Sequence, residues 1–273
     1  MELHGISDYE FVSIRDWLFK QTGISLTPAK KTLVCSRLHK RLRALSLSSY
    51  GDYFSLLSSN RDQDEAQTAI DLLTTNETYF FREAEHFQLL GELAQKARRD
   101  QPFRVWSAAC SSGEEVYTIA MTLAEHERRG AGPAWEVRGS DVSARVLDMA
   151  RSAHYPMDRA TDIPPALLKR YCLSGTGPYH DTLLVERSLR EKIEFAQINL
   201  IEPLPELVPF DAIFLRNVLI YFDPPVKRKV VGQLLSRLTG DGVLFVSMAE
   251  SLHGLFDKLV SVAPGAYRFD RRR

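Results

Sequence analysis

The chain has 273 residues, of which 44% are hydrophobic, enough for one large core or two smaller ones. Lys and Arg total 35 and Asp and Glu total 35, a balance that argues against holding nucleic acid by bulk charge. Cys35, Cys110 and Cys172 are odd in number and far apart, which speaks against a disulfide framework or zinc site, and no signal pattern or apolar run near the roughly 20 residues of a bilayer span is evident, so a cytoplasmic location is expected.

From Ser7 to about Thr75 the apolar spacing is helical and no strand is predicted. Asp8 is expected to cap a first helix whose Phe11, Ile14 and Leu18 share a face, with Gly23 ending it. Thr27-Pro28 opens a second, proline being tolerated where its missing N–H costs nothing. Val34, Leu38, Leu42 and Leu45 form its apolar stripe, flanked by Lys30, Arg37, Arg41, Lys40 and Arg43, with no acid between Pro28 and Tyr50. Spacing leaves two readings open, a solvated face or a docking surface for an acidic partner. Helices over Tyr50–Ser58 and 64–73 complete an all-α unit. Thr74-Thr-Asn-Glu-Thr-Tyr-Phe-Phe-Arg82 then reads either as a clamp between domains or as a lid whose Asn76, Thr78 and Arg82 touch a ligand.

Phe103-Arg-Val-Trp-Ser-Ala-Ala-Cys-Ser-Ser-Gly-Glu-Glu115 reads as strand, small-residue turn and helix start, the form of a nucleotide-binding turn in a doubly wound α/β sheet. A Walker phosphate turn would end in Gly-Lys-Ser/Thr. Here Gly113 precedes two glutamates, which repel a triphosphate and suit a ligand carrying ammonium, sulfonium and hydroxyl groups, as S-adenosylmethionine does. A helix over 115–129 and a strand over 135–139 follow. Asp141, 28 residues past Gly113, can accept ribose hydroxyls or cap the helix Ala144–Ser152. Pro165–Tyr171 is a short helix, and strands at 182–187 and 192–197 are expected to form a small antiparallel flap. Phe210–Leu215 has the continuous apolar character of a buried parallel strand, with Arg216-Asn217 at its carboxyl end. Asp223 and Pro224 open a helix to Leu238. In the intervening Asp-Pro-Pro, Val226 stands where base-modifying methyltransferases carry a stacking aromatic. Gly240-Asp-Gly242 is expected to turn into a strand at 243–246, and Tyr267–Phe269 is expected to be the last strand, antiparallel.

Along nearly its whole length the chain resembles the CheR family of chemotaxis receptor methyltransferases. The matching segments are Thr75–Glu83, Arg104–Glu115, Ser140-Asp141, Gly175-Thr-Gly-Pro178, Asn199-Leu200 and Phe210–Phe222. The resemblance implies an all-α N-terminal domain over 1–75, a linker or lid over 76–100, and a Rossmann-like class I methyltransferase domain over 101–273 with a small antiparallel β-subdomain inserted at about 173–198. It implies methyl transfer from S-adenosyl-L-methionine, releasing S-adenosyl-L-homocysteine, to glutamates of methyl-accepting chemoreceptor cytoplasmic domains. By that resemblance Asn76, Thr78, Arg82, Glu115, Asp141, Asn199, Leu200, Arg216 and Asn217 would hold the cofactor, with Glu114 as a further neighbour. Arg216 and Tyr221 would act beside the reacting methyl. Arg37, Lys40, Arg41 and Arg43 would meet the receptor, and the insert would in some members bind a receptor's C-terminal peptide. No metal, nucleic acid, membrane insertion or obligate dimer is expected. Transfer to another acceptor, RNA or a small carboxylic acid, and a non-catalytic cofactor-binding adaptor are the alternatives. A glutamate is already ionised at neutral pH, its reference pKa being about 4.3, so no general base is needed. The scattered His86, His126, His154, His180 and His253 fit structural or surface roles.

Overall fold

The computed structural model describes residues 5–59 and 61–270. Four helices, α1 (Asp8–Thr22), α2 (Lys31–Ala44), α3 (Tyr50–Ser58) and α4 (Gln63–Leu73), enclose their own apolar core, in which Ile14, Leu18, Leu38, Leu42 and Tyr53 are wholly buried. The cap of α1 is Ser7 rather than Asp8. Its hydroxyl accepts the N–H of Glu10 while the Glu10 carboxylate takes the N–H of Ser7, a reciprocal capping box that Asp8, already inside the helix, cannot make. Gly23 closes the helix in the left-handed conformation, and Pro28 starts a 3₁₀ turn leading into α2.

The rest of the described chain is an α/β domain. In order it runs α5 (Glu85–Lys96), β1 (Phe103–Ser107), α6 (Glu114–Arg128), β2 (Trp135–Asp141), α7 (Ala144–Ser152), β3 (His154–Pro156), α8 (Pro165–Tyr171), β4 (Cys172–Ser174) and β5 (Thr182–Val185). It continues with α9 (Arg187–Arg190), β6 (Ile193–Gln197), β7 (Phe210–Phe214), α10 (Pro224–Leu235), β8 (Leu238–Phe245), β9 (Leu259–Ala263) and β10 (Ala266–Phe269). Seven strands form one sheet in the order β6-β2-β1-β7-β8-β10-β9, parallel from β6 to β8, with β10 antiparallel to both its neighbours. Alternate residues of the central strands enter opposite cores. Val105, Phe214 and Phe245 pack with α5 and α6, while Trp106, Ile213 and Leu244 pack with α10. Burial on both faces is why β7 reads as an unbroken apolar run. Strand order reverses between β1 and β7, so the loops at their carboxyl ends diverge and leave a crevice.

A second sheet, β3-β5-β4, is antiparallel throughout. It is built from 154–156, 172–174 and 182–185, so it begins earlier than expected from the sequence. The expected flap strand at 192–197 is not part of it: β6 pairs parallel with β2 at the edge of the large sheet. Both strands alternate in a way that suits a hairpin, and only the short helix α9 between them, which carries the chain across, separates the two outcomes. Likewise Gly240-Asp-Gly242 is no turn. It lies inside β8, where the register against β7 jumps between Phe210↔Leu238 and Ala212↔Val243, and α10 stops at Leu235.

The helical unit is fixed to the sheet around the crevice. Ser25 N–H donates to the Tyr221 carbonyl (2.8 Å), the Asn199 amide to the Gln21 carbonyl (2.7 Å), and the Gln67 amide to the Val142 carbonyl (3.0 Å).

Candidate functional site

The crevice at the strand-order reversal is a cavity of about 260 Å³, and of the residues assigned above to cofactor or catalysis all but Glu114 line it: Asn76, Thr78, Arg82, Glu115, Asp141, Asn199, Leu200, Arg216, Asn217 and Tyr221. Each arrives by a separate local device. The turn after β1 places Ser111 at φ +50° and Gly113 at φ +96°. A Cβ on Gly113 would lie 2.8 Å from the Ala150 methyl and 2.9 Å from the Tyr155 hydroxyl, so only glycine lets the turn sit against α7 and β3.

Asp141 ends β2 and is buried. Its Oδ2 accepts the Ser111 N–H and its Oδ1 the Ser143 N–H, both at 2.9 Å, which cross-braces the cofactor turn to the next loop. Ser143, not Asp141, occupies the cap position of α7 and makes no side-chain cap. Burial pushes the Asp141 carboxyl up, against the opposing pull of these N–H donors. A carboxylate has about four acceptor directions, so these N–H donors leave acceptor capacity on Asp141 for a hydroxyl donor.

Glu115, on the first turn of α6, leans back to β1, where the Ser107 hydroxyl donates to it at 2.7 Å. Its neighbour Glu114 does not share the crevice. Successive helical residues point about 100° apart, and the fully buried Glu114 turns the other way to pair with Arg159 and accept the Ser112 hydroxyl. The expectation that Glu114 also faces the cofactor is thereby corrected.

Arg216 lies at the centre of the charge arrangement. Its side chain is 1% exposed, with Nη1 3.2 Å from Glu115 Oε2 and Nη2 3.3 Å from Glu83 Oε2, and it donates to the Arg82 carbonyl. Its guanidinium also lies 5.4 Å from the Phe87 ring centroid. Burial raises the pKa of Glu115, with Arg216 drawing it back. Glu83 is also pushed upward by burial, but the Ser247 hydroxyl, Arg216 and the Met248 N–H outweigh it and leave its carboxyl below the ordinary value. Arg216 Nε and Nη1 are shielded from solvent and make no hydrogen bond within the protein, Nη1 being held by its ion pair with Glu115.

Sequence reasoning missed Glu83 and Ser107 as supports of this cluster. Glu83 stands inside a quoted motif, next to Arg82, but nothing in its local pattern tells that it reaches Ser247 and Met248, just after β8.

The segment 75–84 is an irregular strap, and its residues 75–79 and Arg82 line the crevice. Phe80 is wholly buried, edge-on to Tyr155 at 5.2 Å, and fixes the strap to the α/β core. Asn76 is held through its carbonyl by the Ser111 hydroxyl (2.8 Å), and Arg82 donates to the Glu77 carbonyl (3.1 Å). Phe81, Glu83 and Asn217 all carry positive φ, at +58°, +55° and +59°, so backbone strain concentrates where strap and loop meet. Tyr79 and Ile220 stand at the mouth, 41% and 62% exposed.

The four cations of α2 expected to meet a receptor divide into two pairs. Lys40 and Arg43 are exposed. Arg37 donates to the carbonyls of Leu73 and Thr74 at 3.0 and 2.9 Å, where the strap begins. Burial lowers its pKa, and the Tyr221 phenol acts the other way. Arg41 grips the buried Glu65 through Nε, which lies 3.0 and 2.9 Å from the two carboxylate oxygens. Arg37 and Arg41 therefore hold the domain together as well as contributing charge.

Two family models cover almost all of the chain. Residues 9–74 match the CheR methyltransferase all-alpha domain and residues 76–266 the CheR methyltransferase SAM binding domain. Similar proteins include the chemotaxis protein methyltransferases of Salmonella typhimurium and Escherichia coli, each 42% identical over 252 residues, 92% of this chain and 86% and 87% of theirs. Another is chemotaxis protein methyltransferase 2 of Pseudomonas aeruginosa, 43% identical over 244 residues, 89% of this chain and 86% of that one. The lining of the crevice is compatible with the cofactor these models specify, since the buried Asp141 and the nearly buried Glu115 give it the acidic character that suits a cationic, hydroxyl-rich ligand. With the strand order, the acid-lined crevice and both family models in agreement, the chain belongs to the CheR methyltransferase family and is an S-adenosylmethionine-dependent methyltransferase.

Proposed function

We propose that the chain methylates glutamate side chains on the cytoplasmic signalling domains of chemoreceptors, forming methyl esters as the adaptation step of a chemotaxis-type pathway. The observation that carries this reading is the meeting at one crevice of an acid-lined wall, Glu115 and Asp141, with a buried cation, Arg216, beside a helix whose Lys40 and Arg43 face solvent with no acid on that helix. The chain's similarity to chemotaxis protein methyltransferases supports the chemotaxis part of this reading.

In this reading residues 1–75 dock the receptor, 76–100 form the strap and connecting helix, and 101–273 hold the cofactor and the inserted β-subdomain. Asp141 takes the ribose hydroxyls, Asn199 and Leu200 flank the adenine, and Glu115 faces the methionine and ribose portion. Asn76, Thr78 and Arg82 close from the strap, and Arg216 with Asn217 lines the wall near the methyl. When bound, the cofactor supplies an electrophilic methyl on sulfonium sulfur. The receptor carboxylate needs no proton removed, so the chain contributes alignment and exclusion of water. Arg216 and Tyr221 orient the incoming carboxylate, Tyr79 and Ile220 give the mouth an apolar rim, and the α2 cations draw in an acidic helix.

Incubation with radiolabelled S-adenosylmethionine and a panel of receptor signalling fragments tests the proposal. Label should enter a receptor fragment and be released as methanol by mild base. Base-stable label, or label on RNA in place of receptor, refutes it, and cofactor binding without turnover on any fragment converts it to an adaptor.

A further inference from the structure

Between Arg216 and Tyr221 the chain makes a short irregular loop that no regular ladder supports. It leaves β7 at Phe214, passes Asn217 at φ +59°, and completes a single 3₁₀ turn over Leu219–Tyr221. Backbone N–H groups in such a loop need acceptors from elsewhere. They find one in Glu250, which follows β8 and is 8% exposed. Its Oε2 accepts the N–H of Asn217 at 3.1 Å and its own neighbour Ser247 at 3.0 Å, and its Oε1 accepts the N–H of Ile220 at 3.2 Å. Glu250 thus takes two N–H groups lying between the two residues assigned to orient the reacting groups. It is also tied to the Arg216 side chain from outside, because the Ser247 hydroxyl donates to Glu83, the acid that pairs with Arg216.

We propose that Glu250 is the positioning residue of this site: it touches neither cofactor nor substrate, and it sets the backbone that aims Arg216, Asn217 and Tyr221 into the crevice. A carboxylate suits the task, since its two oxygens accept N–H groups from several directions at once, and a glutamine would turn an NH₂ toward N–H donors. The inference extends the assignment of Arg216 and Asn217 to the cofactor wall and does not depend on the acceptor being a receptor glutamate.

The test uses the full chain with Glu250→Gln. In the absence of ligand, amide hydrogen exchange over 216–222 should quicken while exchange at Ser111 and Ser143, whose N–H groups Asp141 accepts, stays as in the parent. Affinity for S-adenosylhomocysteine by calorimetry should fall about tenfold, as for loss of one charge-assisted hydrogen bond. Glu125→Gln provides the matched control: that carboxylate is also buried but pairs with Arg128, Arg170 and Tyr171 at the far end of α6, and its variant should keep the parent affinity. Unchanged exchange over 216–222 with unchanged affinity overturns the proposal, and so does an equal loss of affinity in Glu125→Gln. If Glu250→Gln does not fold, Glu250→Asp, which keeps the charge and shortens the reach, is held to the same criteria. Failure to methylate receptors with a normal Glu250 dependence of binding would instead count against the acceptor assigned above.

Discussion

Replacing Arg216 with methionine tests the charge arrangement most directly. The guanidinium is 1% exposed, within 3.2 Å of Glu115 and 3.3 Å of Glu83. Methionine fills much of its volume and leaves two nearly buried carboxylates without their cation. Removing one partner from a buried ion pair costs about 3–5 kcal/mol. Here the lower end applies, because Glu83 keeps the Ser247 and Met248 donors and Glu115 keeps Ser107. About 3 kcal/mol in a chain of this size lowers the melting temperature by roughly 6–12 °C. The loss has a definite pH dependence. Burial already lifts Glu115, and without Arg216 its folded-state pKa rises further above the unfolded value. A carboxyl raised in the folded state binds more protons folded than unfolded, so stability falls as pH rises between the two values. The deficit should therefore be larger at pH 8 than at pH 4.5, the ordinary glutamate value. Thermal unfolding of parent and Arg216→Met at both pH values measures it. A drop below about 2 °C at pH 8, on the same scaling, or an equal drop at both, refutes the assignment of Arg216 as the counter-charge of Glu115 and Glu83.

Four further outcomes follow from the same geometry. Asp141→Asn should weaken S-adenosylhomocysteine binding about tenfold by calorimetry, one charge-assisted hydrogen bond being at stake. In the parent, Asp141 and Glu115, both raised by burial, should protonate above the ordinary carboxylate range near about 4, so affinity for the cationic donor should fall on acidification, starting at a higher pH than for exposed acids. Gly113→Ala should cost about 2–4 kcal/mol, combining left-handed strain with overpacking against Ala150 and Tyr155; urea unfolding with no change of midpoint would contradict the description of that turn. Arg41→Ala should destabilise the chain by about 2 kcal/mol by removing the cation from the carboxylate of Glu65, which retains the Tyr53 hydroxyl at 2.7 Å; a loss of receptor binding without any loss of stability would show Arg41 to be a surface charge only.

What could be read in advance depended on how local its cause was. The helical unit was legible because Phe11, Ile14 and Leu18, or Val34, Leu38 and Leu42, repeat at helical spacing and need no knowledge of a partner. The turn from Phe103 to Glu115 was legible for the same reason, small residues and a helix start being consecutive in the chain. Strand β6 was assigned to the wrong sheet because alternation tells that a strand has two faces and not which strand it will meet. Glu114 and Glu115 looked alike until the helix turned them apart. Arg37 and Arg41 looked like free charge until Leu73, Thr74 and Glu65, distant along the sequence, came to meet them.

By itself the sequence determined an all-α unit followed by an α/β domain and the acid-rich turn after the first strand, and its family resemblance pointed to the residues proposed to hold the cofactor. Only the tertiary structure decided that those residues converge on one crevice, that Arg216 stands between Glu83 and Glu115, and that Glu250 holds the loop beside it. The division has a physical origin: periodicity and turn chemistry act over a few neighbouring residues, whereas the field at a buried charge is set by groups that the fold brings together from across the chain.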